Sequence, residues 1–561
     1  MQTTLLEAIV KRRGALALAS AVTLSLALAG CGSSNGGSAA KADDKGIITV
    51  NTVEPQNALI PTSTNETGGG RVLDALFSGL VYYEPKTGEA KNELAESVES
   101  SDQVVWTVKL KKDAKFSDGS PIKADNYIKA WNYGANPKNA QLASSFFEVI
   151  KGFTAGPTKA GAQAPDVPEL SGLKKIDDYT FQITLNQPTS DFALRLGYSA
   201  YAPLPDVAFK DMKAFGDNPT VTSGPYTLKD KGWKHKESIE LVKNENYSGP
   251  RQAKNGGLTF KIYLKSDAAY ADVQSGQLDV LDDLPAAAFS TFKSDFPESN
   301  ANQPVAIFQS FTIPDRIKHF GMDEEGRLRR QAIAYAIDRE TICKTIFQDT
   351  RVPAKDFTSP SMPNYEKVMK QTKGGEVLKF DKAKAKELWA KADAISKYDD
   401  TFTIGYNSDS SHKDWVDAVA NQLKNNLGIK AEGEAFPDFK GLRDAITKQT
   451  IKGAFRSGWQ ADYPGMSNFL EPLYSKNGNS NDGKYNNEQF NKLMIDIAKL
   501  PVGDEQDMKF AEAQSILFTD LPAIPLWNSN VVGVWNKDNV SNVAFNWKSE
   551  PVYYEITKNA K

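Results

Sequence analysis

The chain has 561 residues, 40% of them hydrophobic, with 67 Lys and Arg against 70 Asp and Glu, a net charge of −3. That length is too great for a single hydrophobic core, so two or more lobes are expected. A nucleic-acid partner would want a basic face, and the charge balance supplies none.

At the front, Lys11, Arg12 and Arg13 precede a seventeen-residue apolar run over 14–30. This is a secretory signal peptide over residues 1–30. Without it the chain keeps 64 basic and 69 acidic residues, a net charge of −5, and no second long apolar run. The small residues Leu28-Ala29-Gly30 before Cys31 resemble the lipobox of bacterial lipoproteins. That resemblance makes Cys31 a lipidated first residue; plain signal cleavage is the alternative. Residues 31–46 are too poor in apolar side chains to pack and are expected to form a flexible tether with a reach of roughly 20 Å. The body then starts near Ile47.

Further along, Gly68-Gly69-Gly70 lacks a preceding strand and a Lys-Ser/Thr tail, so it is expected to be a turn rather than a phosphate loop. Residues 104–116 alternate apolar and polar and end at the turn signal Ser117-Asp118-Gly119-Ser120-Pro121. A helix is expected next, with Asp125 near its N-cap. Strands are expected over 180–185, 238–244 and 258–264. Helices are expected over 269–276, 327–338, 382–392 and 413–428, the last closed by Gly428. A mixed α/β architecture follows.

Cysteine and histidine usage narrows the chemistry. With Cys31 assigned to the anchor, Cys343 has no partner for a disulfide, and its helical apolar surroundings make it a buried small hydrophobe. His235, His319 and His412 are far apart, without a second ligand at metal spacing. No Gly-x-Ser-x-Gly elbow or His-x-x-x-His pair occurs, so no metal, cofactor or catalytic residue is assigned.

Several stretches, in order, carry a resemblance. They are Phe116-Ser-Asp-Gly-Ser-Pro-Ile-Lys-Ala-Asp125, Ser223-Gly-Pro-Tyr226 and Asn244-Glu-Asn-Tyr247, followed by Val273-Gln-Ser-Gly-Gln-Leu-Asp279, Arg330-Gln-Ala-Ile-Ala-Tyr-Ala-Ile-Asp338 and Phe380-Asp-Lys-Ala-Lys-Ala-Lys-Glu-Leu388. From about Ile47 to the end, the chain resembles the bacterial substrate-binding proteins, family 5, that serve dipeptide and oligopeptide ABC importers. Individually these are fold-building residues: Asp118-Gly119 makes a turn, Gly276 ends a helix, and Asp338 caps a helix or pairs with Arg330 or Arg339.

The resemblance implies a two-lobed α/β periplasmic-binding-protein fold of the large, three-subdomain type, with a hinge and an interlobe cleft. It places residues 47–310 plus 529–561 in the N-terminal lobe, including a subdomain at about 76–220, and 311–528 in the second lobe. Crossovers are expected at 308–314 and 525–532.

The stretch Gly458-Trp-Gln-Ala-Asp-Tyr-Pro-Gly465 carries the expected site. By the resemblance, Asp462 pairs with the α-amino group of a bound peptide, because a buried ammonium needs an anionic partner. Trp459 and Tyr463 are expected as apolar walls that lower the local dielectric, with Gly458 beside them. Arg456 stands where some relatives meet the ligand carboxylate; a structural acid is its alternative partner. Read without the resemblance, Asp462 is a helix-capping or surface acid. Two positions depart from the family pattern: Pro464-Gly465-Met466 replaces an acidic turn, and Gln460 stands where some relatives have a disulfide cysteine.

The implied role is capture of short peptides by a monomer, without chemistry, at the outer face of the cytoplasmic membrane. Delivery goes to permease subunits on separate chains, since this one has neither a spanning bundle nor a P-loop. Alternatives are the same fold binding a nickel chelate, haem or oligosaccharide, a peptide-sensing receptor, or an anchored hydrolase.

Overall fold

The computed structural model describes residues 42–64, 66–156, 163–408, 411–437, 439–476, 478 and 480–560. The signal peptide expected over residues 1–30 and Cys31 lie outside them. The tether expected over 31–46 is cut short: Ala42–Asp43 pairs antiparallel with Thr557–Asn559, so these residues belong to the body. Pairing satisfies backbone groups that a weakly apolar composition does not report.

Strands and helices form where the apolar period asks for them. In Val105–Leu110 the buried side chains are Trp106, Val108 and Leu110, one face of a strand. Strands Thr180–Thr184, Ser238–Lys243 and Gly257–Ile262 and helices Ser266–Gln274, Glu324–Ala336, Lys382–Ile395 and Lys413–Leu427 all fall within a few residues of expectation. Gly428 closes the last helix at φ +78°, a left-handed position that suits glycine.

Of three local expectations, the one for the glycines at 68–70 changes. Asp125 lies near the N-cap of Ala124–Ala135, as expected, in the first helical turn, and it pairs with Lys175 at 2.6 Å. The three glycines at 68–70 are not a turn but the start of helix Thr67–Leu76, capped by the Glu66 carboxylate at 2.9 Å from the Gly69 N–H. Side chains are excluded at two of them: a Cβ on Gly69 would fall 2.5 Å from the Thr64 methyl, and one on Gly68 would fall 2.9 Å from the Val53 carbonyl, whereas Gly70 has open space. Close packing has overridden glycine's poor helix propensity. Asp338 caps helix Arg339–Thr345, while Arg330 and Arg339 turn to backbone carbonyls.

One large mixed sheet runs through the molecule. Its strands lie in the order Lys430–Phe436, Thr401–Asn407, Ala454–Gln460, Asn300–Thr312, Ala523–Trp535, Val280–Leu281, Ile47–Thr52, Gly257–Ile262, Ser238–Lys243 and Tyr226–Lys234. A separate four-stranded antiparallel sheet includes Val105–Leu110 and Thr180–Thr184. The side chains gather into two main cores. One is built on Ile48, Trp131, Phe181 and Phe260 and takes in Val531, Phe545 and Tyr553 from the C-terminal end. The other is built on Phe311, Ile333, Trp389, Ile404 and Leu517. Both expected crossover stretches lie in or at the ends of the two long antiparallel strands Asn300–Thr312 and Ala523–Trp535. These strands contribute Val305 and Val531 to the first core and Phe308 and Trp527 to the second.

Within the second core, Cys343 is 2% exposed, and burial pushes its thiol up to about 12. Asp356 is fully buried, held by the Thr358 N–H at 3.0 Å and its hydroxyl at 2.6 Å. Burial pushes its carboxyl from an ordinary 3.8 up to about 6, against those hydrogen bonds. The folded state therefore holds this proton more tightly than the unfolded chain. Stability from this group is fully present below pH 4 and falls as pH rises to about 6. Asp356→Asn, which cannot ionise, should gain about 3 kcal/mol relative to the unsubstituted protein between pH 4 and pH 7. Urea unfolding of both proteins at several pH values measures that difference; a constant difference would show that Asp356 stays ionised throughout.

Candidate functional site

Strand Ala454–Gln460 pairs with Asn300–Thr312 along one edge from Phe455 to Gln460. Along its other edge, Thr401–Asn407 reaches only Ala454 and Phe455. The N–H of Ala461 donates to the carbonyl of Ala306 in the same register. Bonded pairs alternate in an antiparallel ladder, so Ser457 and Trp459 direct their backbone groups to Asn300–Thr312, and Gly458 and Gln460 direct theirs to the open edge. Gly458 thus presents an N–H and a carbonyl with no side chain beside them.

Past this edge the chain turns through 461–466 into helix Ser467–Tyr474, whose N-cap is Met466. Asp462 is therefore not the capping acid. Its N–H donates to the Asn468 amide oxygen at 2.9 Å, and the Asn468 amide N–H donates back to its carboxylate at 3.3 Å. The Trp459 indole N–H donates to the same Asn468 oxygen at 3.1 Å. One asparagine, which the sequence reading passed over, sets both side chains.

The Asp462 carboxylate lines a cavity of about 110 Å³ together with Asp74, Tyr198, Trp547, Lys548 and Glu550. Burial pushes the carboxyl above its ordinary range, opposed by the Asn468 hydrogen bond and by the positive charges of Lys548 and Arg195. For Lys548, burial works against the charge, but Asp74, Glu550, Tyr198 and Asp462 together hold the ammonium protonated well above its ordinary value. Its nearest carboxylate is Asp74 at 3.9 Å. Among the described residues Asp462 makes no ion pair within 4 Å, so a largely buried carboxylate faces open volume.

Tyr463 does not join that wall. Its hydroxyl donates to Asp191 at 3.0 Å, and its ring lies 5.4 Å from the Arg195 guanidinium. Asp191 also accepts from the Ser467 hydroxyl at 2.6 Å and from Arg195 at 3.0 Å. Asp191 is 272 positions from Tyr463 in sequence, and no local motif in either segment announces the contact. Its effect is to fasten the chain just after Asp462, at Tyr463 and Ser467.

Arg456, Gly458 and Trp459 line a second cavity of about 250 Å³, apart from the one that Asp462 lines. Arg456 donates to the Asn407 side-chain oxygen at 2.8 Å and lies 4.8 Å from the Phe439 ring centroid. The structure therefore divides the expected site: the carboxylate stands in one cavity, and the arginine, glycine and indole stand along a strand edge leading to another.

Over most of its length the chain is similar to known proteins. The Bacillus subtilis (strain 168) oligopeptide-binding protein OppA is 27% identical over 533 residues, covering 92% of this chain and 94% of that protein. The Salmonella typhimurium periplasmic oligopeptide-binding protein OppA is 28% identical over 524 residues, covering 89% and 92%. Among solved structures, the unliganded open form of the periplasmic murein tripeptide-binding protein MppA superposes with a TM-score of 0.76 at 21% identity, covering 93% of this chain and 99% of that one. The two-lobed α/β binding-protein fold expected from the sequence is thereby shown. Residues 89–481 match the family described as bacterial extracellular solute-binding proteins, family 5 Middle, a family of binding proteins rather than enzymes. With well over half of its length inside that match, the chain belongs to the bacterial extracellular solute-binding proteins of family 5.

Proposed function

We propose that this protein captures short peptides between its two lobes and passes them to an ABC permease on separate chains. The observation that carries the reading is Asp462: a largely buried carboxylate, without an ion pair among the described residues, facing a cavity. A peptide's α-ammonium is the complementary group, and a charge-assisted hydrogen bond to it is roughly twice as strong as a neutral one.

The open edge at Gly458 and Gln460 supports the rest. A ligand laid there as an added strand is held by its main chain, whatever its side chains. Arg456 and Trp459 beyond that edge would meet the ligand's carboxyl-terminal half, and bridging waters would accommodate varied sequences.

The two cores support lobes of 47–310 plus 529–561 and 311–528, with the paired strands Asn300–Thr312 and Ala523–Trp535 as the hinge about which they close. A lipid on Cys31 would keep the body at the outer face of the membrane, and no helix among the described residues is long and apolar enough to cross it.

Protein purified without added ligand, then acidified and examined by mass spectrometry, tests the reading. A set of short peptides released by acid is the expected result. A single haem, metal chelate or sugar in their place would overturn it.

A further inference from the structure

The Asp462 cavity holds more negative charge than one ammonium neutralises. Its charged lining is Asp74, Glu93, Asp462 and Glu550 against Arg251 and Lys548. Glu93 is already satisfied by the Arg251 guanidinium at 2.6 Å, the Ser78 hydroxyl at 2.9 Å and the Tyr247 hydroxyl at 2.5 Å. Lys548 stands closest to Asp74. That leaves Asp462 and Glu550, neither with an ion pair within 4 Å among the described residues. Glu550 is 7% exposed, and its one side-chain hydrogen bond comes from the Asn546 amide at 3.5 Å. An ionised carboxylate with so little pairing at low exposure is unfavourable, and an incoming cation would relieve it.

A second, independent observation concerns Tyr553. It lines the same cavity and is 6% exposed, and its hydroxyl has no hydrogen-bond partner among the described residues. The charges that act on that hydroxyl are the Arg71 guanidinium, itself paired with Asp282 at 3.1 Å, then Asp282, and then Glu550 and Asp74 from the cavity wall. The rings of Tyr83, Tyr198 and Trp547 complete the wall, and aromatic faces attract cations. At about 110 Å³ the cavity has room for several water-sized groups, enough for the four carbons and terminal nitrogen of a lysine side chain.

We propose, resting on the peptide reading above, that this cavity selects peptides with a basic first residue. The α-ammonium goes to Asp462, the side-chain cation to Glu550, and the Tyr553 hydroxyl accepts one of that cation's remaining N–H groups. Counting Asp74, Asp462, Glu550 and Lys548, the empty cavity carries a net charge of −2. A peptide with a neutral first side chain leaves −1, and one beginning with lysine or arginine leaves zero.

Calorimetric titration of the purified, ligand-stripped protein tests this with alanine peptides of three to six residues that begin with lysine or with norleucine. The two first residues share the same four-carbon chain and differ in charge. The lysine peptides should bind at least about tenfold more tightly, as expected for a charged hydrogen bond in a buried setting. In Glu550→Gln that ratio should fall below about threefold. Equal affinities in the unsubstituted protein would overturn the selectivity and leave the peptide reading standing. Binding of neither series would overturn both. A ratio that survives in Glu550→Gln and again in Asp74→Asn would show that the charge is recognised elsewhere and would also overturn the proposal. The comparison between the two peptides needs no variant to fold.

Discussion

Asp462→Asn should weaken binding of peptides with a free amino terminus by about 100-fold, close to 3 kcal/mol, and change the affinity of N-acetylated peptides far less. Asparagine keeps the size and an accepting oxygen but removes the charge, so the ligand's ammonium is left desolvated without an anion. That loss is a large part of what a buried charge pair contributes. Acid should act in the same direction. Because burial raises the Asp462 carboxyl, it protonates at a pH above the ordinary carboxylate range. Affinity for free-amino peptides should then fall as pH drops through that raised value, and affinity for acetylated peptides should stay level. Titration of both peptide types against both proteins separates the possibilities: equal losses on the two would mean that Asp462 only holds the turn together with Asn468.

Arg330→Met should destabilise the protein by about 3–5 kcal/mol, measured as the unfolding free energy of the second core in urea. Arg330 is fully buried on helix Glu324–Ala336. Its guanidinium donates to the carbonyls of Ile313 and Leu521, both at 2.9 Å, and to Phe320. Ile313 directly follows one crossover strand and Leu521 precedes the other, so a single side chain ties both to the helix. Burial lowers its pKa to about 10, which still leaves it charged at neutral pH. Replacing a buried charge by an apolar group relieves its desolvation, and where the charge has a matched anion the exchange is often neutral. Here no carboxylate lies within ion-pair distance among the described residues, and the carbonyls would be orphaned at about 1–3 kcal/mol each. An unfolding free energy within 1 kcal/mol of the unsubstituted protein would mean that water replaces the guanidinium, and that the crossover strands do not depend on it.

The elements legible in the sequence are those whose apolar period is strong over their own length. Trp106, Val108 and Leu110 alternate, and Trp415, Val419 and Leu423 recur at helical spacing; both patterns formed the expected element. Gly68 and Gly69 misled because their reason is a contact with Val53 and Thr64, not a local preference. Tyr463 misled in the same way: proximity to Asp462 in sequence suggested a shared wall, but neighbouring residues leaving a strand turn to different sides, and Asp191 claimed the hydroxyl.

By itself, the sequence determined the class of molecule: an α/β chain with a family pattern in order along its body and one acid worth following. Only the tertiary structure decided what that acid faces. Lys548 and Glu550 lie 86 and 88 positions beyond Asp462, and Asp74 lies 388 positions before it, yet all four side chains meet in one cavity. Periodicity reports whether a residue is buried against its own element; it carries no information on which distant charges share that burial. Burial raises the Asp462 carboxyl against the Asn468 hydrogen bond and the charges of Lys548 and Arg195, all of them effects that only the folded chain brings together.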